Sequence, residues 1–230
     1  MKGNTIPVGT LLCRGVRFEG HNFFWMVVWQ AGVWLLACLV MAVVSLFVKE
    51  DVLGVVDVPG LCALVVGTFF FFFEGVNLFG AQYALLVGLG VSRRRAVALG
   101  WALSVLAGAV ELAVVALLNT VWRVVLATPG QFAEILSLIP FWGWAALLLL
   151  PPCFAVMGTA VVRKFGRIGV LVLYLLFLGV CFSPNALRSG EGYLTVEQVV
   201  TALPWIFLTI GAACALLGSV LLLRASLNNG

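Results

Sequence analysis

Two acidic residues predicted to lie within membrane spans, Glu74 and Glu111, are the strongest candidates for chemistry in this sequence, with Asn77 as a polar neighbour of Glu74. An ionisable side chain at membrane depth is costly and is by default a sign of function. These residues could bind a proton or another cation, or line a polar path for a substrate. A hydrogen bond between helices, or a carboxylate that reaches water at the membrane edge, would also explain them.

Other residues that could do chemistry are sparse. His21 is the single histidine and has no cysteine or histidine nearby, so it is a poor candidate for a metal ligand. The six cysteines are scattered without CxxC spacing, which is typical of small packing residues. The sequence contains no HExxH, GxSxG or GxxxxGK[ST] motif. We therefore expect no catalytic residue, metal site or cofactor site, and any ATP that drives this protein must bind another chain.

The composition indicates a membrane protein. Hydrophobic residues make up 63% of it, charged residues 10%, and its mean hydropathy is +1.19. A membrane-spanning helix needs roughly 20 mostly apolar residues. The sequence predicts an all-α, polytopic membrane protein with a single transmembrane domain over residues 1–230. Its six predicted spans are about 23–48, 58–83, 96–120, 141–162, 168–182 and 204–223.

The segments between the spans predict shorter elements. Residues 1–22 lack the pattern of a signal peptide and form either an amphipathic helix on the membrane surface or a flexible basic leader. Short helices are predicted at about 131–139 and 195–203. A kink is predicted at Pro151 and Pro152, because prolines release backbone groups of the helix.

A dense basic loop fixes the predicted orientation. Gly88 and Gly90 allow a sharp turn, Ser92 can cap the next helix, and Arg93, Arg94 and Arg95 follow. Short loops rich in Lys and Arg are retained in the cytoplasm. Six spans place ten of the 13 basic residues on that side, including a second basic turn at Arg163, Lys164 and Arg167. Both termini are therefore predicted to be cytoplasmic.

Two sets of small residues spaced four apart predict close contact between helices. The first set is Gly100, Ser104 and Gly108, and the second is Gly211, Ala215 and Ser219. Each could pack within one chain or between two chains.

The stretch from Tyr83 to Arg95, with its Gly-Val-Ser-Arg-Arg sequence between the second and third spans, resembles the first cytoplasmic loop of type-2 ABC exporter permeases. In that family a six-helix permease pairs with a second permease chain and with separate ATPases that bind ATP and Mg. The resemblance implies a bacterial cytoplasmic membrane protein that exports a hydrophobic or amphipathic substrate, such as a drug, a lipid-like molecule or a peptide. It implies no nucleic-acid partner.

The resemblance also implies a coupling contact with the ATPase. The residues carried over to this contact are Gln82, Tyr83, Gly88, Gly90, Ser92, Arg93, Arg94 and Arg95, with Arg163, Lys164 and Arg167 as a second, smaller contact. Contact with anionic membrane lipids is an additional interpretation of both basic clusters.

Two other classes of transport protein stay open. A proton-coupled carrier would use Glu74 and Glu111. A substrate-binding membrane subunit of a vitamin importer would need a polar pocket facing outward, and the outer loops here are poor in aromatic and polar clusters.

Overall fold

A computed structural model describes residues 8–47, 58–122, 124, 139–175, 178 and 196–224. Every regular element in these ranges is helical, which confirms the all-α class for them. The helices are α1 (Val8–Phe47), α2 (Val58–Asn77), α3 (Tyr83–Gly88), α4 (Arg93–Val121), α5 (Phe141–Phe165), α6 (167–175) and α7 (Val196–Arg224), with a π-helical turn at Leu78–Gln82 joining α2 to α3.

Five segments of the described chain are long and apolar enough to cross a membrane, as expected for a multi-pass membrane protein. They are Glu19–Val44, Val58–Gly88, Arg93–Val121, Phe141–Phe165 and Pro204–Arg224. The predicted span at 168–182 is described only at 168–175 and 178, where it is helical. A sixth crossing therefore stays a prediction.

Two predicted boundaries between elements are absent from the structure. Helix α1 runs without a break through residue 22, so the N-terminal segment is not a separate surface helix over the described part of its length. Its 40 residues extend about 60 Å at 1.5 Å per residue, about twice the hydrocarbon thickness. Helix α7 likewise continues through Pro204, so no separate helix precedes the last span. The short helix predicted at 131–139 lies outside the described residues, apart from residue 139.

Helix α2 lies at the centre of the bundle and packs against α1, α4 and α5, while α5 packs along α7. Helices α5 and α7 run parallel, because Gly211 lies beside Leu150 and Gly218 lies beside Met157. Helix α5 also continues through Pro151 and Pro152, and both prolines are buried.

The described basic residues gather at one end of the bundle, which we call the basic end. Hydrogen bonds join Arg93 to Leu223 and Arg163 to Gly80 there. The start of α1 reaches the same end, since Gly15 lies against Leu103 of α4.

Candidate functional site

A π-helical turn at Leu78–Gln82 joins α2 to α3 near the basic end. Insertion of such a turn into an α-helix is rare and frequently marks a functional site. The turn is followed by Tyr83, which is only 1% exposed. Its hydroxyl donates a 2.7 Å hydrogen bond to the carbonyl oxygen of Leu222 in α7. The Tyr83 side chain therefore points into the bundle. It fixes the segment of the predicted ATPase contact to α7 and does not itself face a partner.

A tight turn then reverses the chain between α3 and α4. The Val91 N–H donates to Leu86 O and the Gly90 N–H donates to Val87 O, both at 3.0 Å, which is the pattern of a Schellman motif. Gly90 has a φ of 86°, a left-handed conformation that glycine adopts without strain. The motif satisfies helix-end carbonyls inside the turn, so the turn is a defined structure and not a loose loop.

Ser92 occupies the N-cap of α4 with extended backbone, and its carbonyl oxygen accepts a 3.0 Å bond from Ala96 N–H. Its hydroxyl, however, makes no capping hydrogen bond. The predicted side-chain cap is therefore wrong, although the helix begins where the sequence placed it.

We define the basic turn as residues 88–95. Its tip is apolar, because Leu89 is 75% exposed. The three arginines differ: Arg94 is exposed, whereas Arg93 and Arg95 are partly buried. Arg93 donates a 3.2 Å hydrogen bond to Leu223 O at the end of α7. The exposed side chains of the turn thus include Leu89 and Arg94. The backbone that carries them is held to the bundle by the bond from Arg93.

The second basic cluster likewise contains one partly buried residue, Arg163, and two exposed ones, Lys164 and Arg167. Arg163 donates a 2.5 Å hydrogen bond to Gly80 O in the π-helical turn, and its guanidinium lies 4.8 Å from the centre of the Tyr83 ring. Gln82, predicted in the first contact, is partly buried, and its Nε2 has no hydrogen-bond partner in the described part of the structure.

The predicted polar residues within the membrane fall into two separate groups. In the first group, Gln30 Nε2 donates to Ala63 O at 3.2 Å and approaches Glu111 Oε1 at 3.5 Å. Both Gln30 and Glu111 are buried. Gly67 provides the space for them, because a methyl group at its Cα would lie 2.4 Å from Glu111 Oε1.

The second group joins α1 to α2. The Glu74 carboxyl interacts with the Glu19 carboxyl and with the side chain of Asn77. Asn22 donates a 2.6 Å hydrogen bond to Glu19 Oε2. Glu74 and Glu111 therefore do not form one site with each other, and each pairs with a polar residue of α1.

The first predicted packing face lies between α4 and the segment formed by α2 and the π-helical turn of the same chain. A methyl group added to Gly100 would lie 2.9 Å from the ring of Phe79, and one added to Gly108 would lie 2.6 Å from the ring of Phe71. Ser104 lies between these two glycines and is fully buried.

The second packing face lies between α7 and α5. A methyl group on Gly211 would lie 2.9 Å from Leu150. Ser219 accepts a 3.1 Å hydrogen bond from the Trp101 indole of α4, and Ala215 lines an apolar cavity beside it.

That cavity has a volume of about 490 Å³ and lies between α4, α5 and α7. Trp142 and Trp205 line it at the end far from the basic end, and Cys153 lines it deeper in the bundle. Its walls are almost entirely apolar, so it suits an apolar group and not an ion.

Sequence reasoning missed three residues of these sites: Glu19, Gln30 and Gly218. Glu19 and Gln30 are 11 residues apart, about three helical turns, so they share one face of α1. That spacing could have identified the buried polar side of α1. Gly218 lies seven residues, about two turns, after Gly211 and so shares its face of α7, where its Cα lies against the backbone of Met157.

Comparisons with protein-family models, with curated proteins and with solved structures find no match to this chain.

Proposed function

We propose that this chain is the permease subunit of an ATP-driven exporter of the type-2 ABC class. In this proposal two permease chains act with separate ATPase subunits, which bind ATP and Mg, in a bacterial cytoplasmic membrane. The observation that carries the proposal is the basic turn. Its exposed Leu89 is followed by three arginines at 93–95. An exposed apolar residue together with arginine, which is enriched at protein interfaces, suits contact with a partner protein.

The attachments of the basic turn support a mechanical role. Tyr83, which precedes the turn, and Arg93, which lies within it, bind the carbonyl oxygens of Leu222 and Leu223. A movement of a docked ATPase would therefore be passed to α2, α4 and α7 together. Arg163 adds α5 through its bond to Gly80 O. Four transmembrane helices thus meet directly behind the proposed docking surface.

The parallel arrangement of α5 and α7 supports a sixth crossing. Helix α5 ends at the basic end with Arg163, and α7 begins at the opposite end and finishes at the basic end with Arg224. A sixth crossing would carry the chain from the end of α5 back to the start of α7. Helix α6, at 167–175, lies in this part of the chain. Six crossings would place both termini on the cytoplasmic side, as the basic residues predict.

The apolar cavity supports a hydrophobic or amphipathic substrate. Pockets of 300–1,000 Å³ with mostly apolar walls are typical of small-molecule sites. Tryptophans at one end, Trp142 and Trp205, suit the level of the lipid headgroups. A molecule with an apolar body could enter from the membrane at that level.

The proposal is tested by affinity purification from native membranes, followed by mass measurement of the bound chains. We expect a P-loop ATPase in stoichiometric amount. Charge reversal at the exposed arginine of the turn, Arg94→Glu, should reduce the recovered ATPase at least tenfold. The matched control is Arg17→Glu, which reverses an exposed charge on α1 outside the turn.

A chain that purifies without an ATPase would contradict the proposal. The proton-coupled carrier would then be favoured, and its transport should collapse with the proton gradient and persist without ATP. Equal loss of the ATPase in Arg94→Glu and Arg17→Glu would contradict the role of the basic turn.

A further inference from the structure

Glu19 of α1 and Glu74 of α2 bring two carboxyl groups into contact across the interface of these helices. The Glu19 side chain is 0% exposed and Glu74 is partly buried. Carboxyl groups in a buried contact are unusual, because two negative charges at this distance repel each other strongly and neither is well solvated. The contact needs a positive partner or a proton.

The hydrogen bonds of the two carboxyl groups show that a proton donor is missing within the described part of the chain. Glu19 Oε2 accepts from Asn22, but Glu19 Oε1 and Glu74 Oε1 are both buried and have no hydrogen-bond partner among the described residues. An ionised carboxylate can only accept hydrogen bonds, whereas a protonated one also donates. One proton on the pair supplies the donor that the neighbouring carboxyl lacks.

No positively charged group around the pair, among the described residues, neutralises it in place of that proton. On α1, Arg14 and Arg17 are exposed, and His21 is exposed and accepts a 3.0 Å bond from Trp25. Within the described ranges, no basic side chain forms an ion pair with either carboxyl.

The other helices that pack on α2 offer no counter-charge at this level. Helix α4 has no charged residue between Arg95 and Glu111, and Glu111 contacts Gln30 instead. Helix α5 has none before Arg163, which binds Gly80 O.

Two other buried polar atoms of the bundle are also without partners in the described residues. Gln30 of α1 and Ser104 of α4 are both 0% exposed, and Gln30 Oε1 and Ser104 Oγ also lack partners in the described structure. Buried polar atoms are almost always hydrogen-bonded to protein or ordered water. These two further buried atoms of the bundle therefore also need a partner such as ordered water.

We propose that Glu19 and Glu74 form a proton-binding site, in which the two carboxyl groups share one proton that links α1 to α2. Paired carboxyls that share one proton are an established arrangement, because two like charges in contact cannot both ionise. Loss of the proton would place two negative charges in the interface and push α1 away from α2. This inference does not rest on the proposed ATPase partner.

The experiment is infrared spectroscopy of the full chain, labelled at the glutamate carboxyl carbon and reconstituted in lipid nanodiscs. At neutral pH we expect an isotope-shifted carboxylic-acid band, and we expect the double variant E19Q/E74Q to lose the equivalent of about one carboxyl per chain. Gln keeps the shape of Glu and provides an amide donor, so each variant retains a hydrogen bond across the interface. The matched control is E111Q, a buried Glu→Gln change at the other polar group, which should keep the band of the pair.

An unchanged carboxylic-acid band in E19Q/E74Q would overturn the proposal. If a variant fails to fold, the wild type still provides the test in an alkaline titration. Ionisation of the shared carboxyl should then coincide with a loss of thermal stability. A wild-type spectrum without any carboxylic-acid band at neutral pH would also overturn it.

Discussion

The Tyr83 hydroxyl donates a 2.7 Å hydrogen bond to the carbonyl oxygen of Leu222, which joins the end of the α2 segment to the end of α7. Leu222 lies in the last turn of α7, where backbone carbonyls have no partner within the helix. The bond therefore satisfies a helix end and fixes the base of the basic turn at the same time.

Replacement of Tyr83 by Phe should lower the free energy of unfolding by about 1 kcal/mol, because a buried carbonyl oxygen loses its donor. The change is measured as a fall in thermal stability in detergent micelles. Tyr174→Phe is the matched control, since Tyr174 is exposed and the same hydroxyl is removed. Equal stability of the two variants would show that the bond to Leu222 contributes nothing.

Replacement of Arg163 by Lys should destabilise the basic end by about 2 kcal/mol. The guanidinium binds Gly80 O and lies over the Tyr83 ring, and a lysine ammonium lacks the planar group that makes both contacts. Chemical unfolding of the purified protein measures the loss. Arg167→Lys, at an exposed position of the same basic cluster, should change stability little. A destabilisation of similar size in both variants would contradict the structural role of Arg163.

Replacement of Gly67 by Ala should destabilise the protein by about 1 to 3 kcal/mol, the usual cost of overpacking. The new methyl group would lie 2.3 Å from Gln30 Nε2 and 2.4 Å from Glu111 Oε1, so both side chains must move. Gly32→Ala is the control, because no atom lies within 4 Å of its added methyl group. Thermal unfolding of the two variants side by side gives the comparison, and equal midpoints would argue against a tight polar contact at Gly67.

Replacement of Gly218 by Ala should separate α7 from α5 and lower the midpoint of thermal unfolding. The added methyl group would meet backbone atoms of Met157 at 2.8 and 2.9 Å, and backbone cannot rotate away as a side chain does. Gly158→Ala in α5 is the control, since the nearest atom to its added methyl group is a Leu173 methyl of α6 at 3.8 Å. If Gly218→Ala were as stable as Gly158→Ala, the close approach of the two helices would be wrong.

The parts of this fold that depend on local sequence could be predicted. Long apolar runs fix the helices, because a spanning segment must satisfy its backbone hydrogen bonds internally. The turn after α3 was predicted from Gly88 and Gly90, since only a residue such as glycine adopts the left-handed conformation easily. The structure assigns that conformation to Gly90 alone, while Gly88 remains in α3.

The parts that depend on contacts between distant residues could not be predicted. The resemblance to type-2 permeases implied that Arg163 contacts a partner, but the π-helical turn presents Gly80 O to it from 83 residues away. Glu19 lies in the segment 1–22, which was predicted to be a surface helix or a flexible leader. The spacing of Glu19 and Gln30 indicates a polar face of α1, but no local pattern identifies Glu74 of α2 as the partner of Glu19.

Photo-crosslinking in native membranes is the most direct test of whether the basic turn contacts an ATPase. A photoreactive amino acid replaces Leu89, and the same replacement at Phe141, which is 89% exposed and lies at the opposite end of the bundle, is the control. We predict that position 89 crosslinks to a protein with a P-loop and that position 141 does not. Crosslinks from position 89 to lipid alone, or to the same proteins as position 141, would contradict the account.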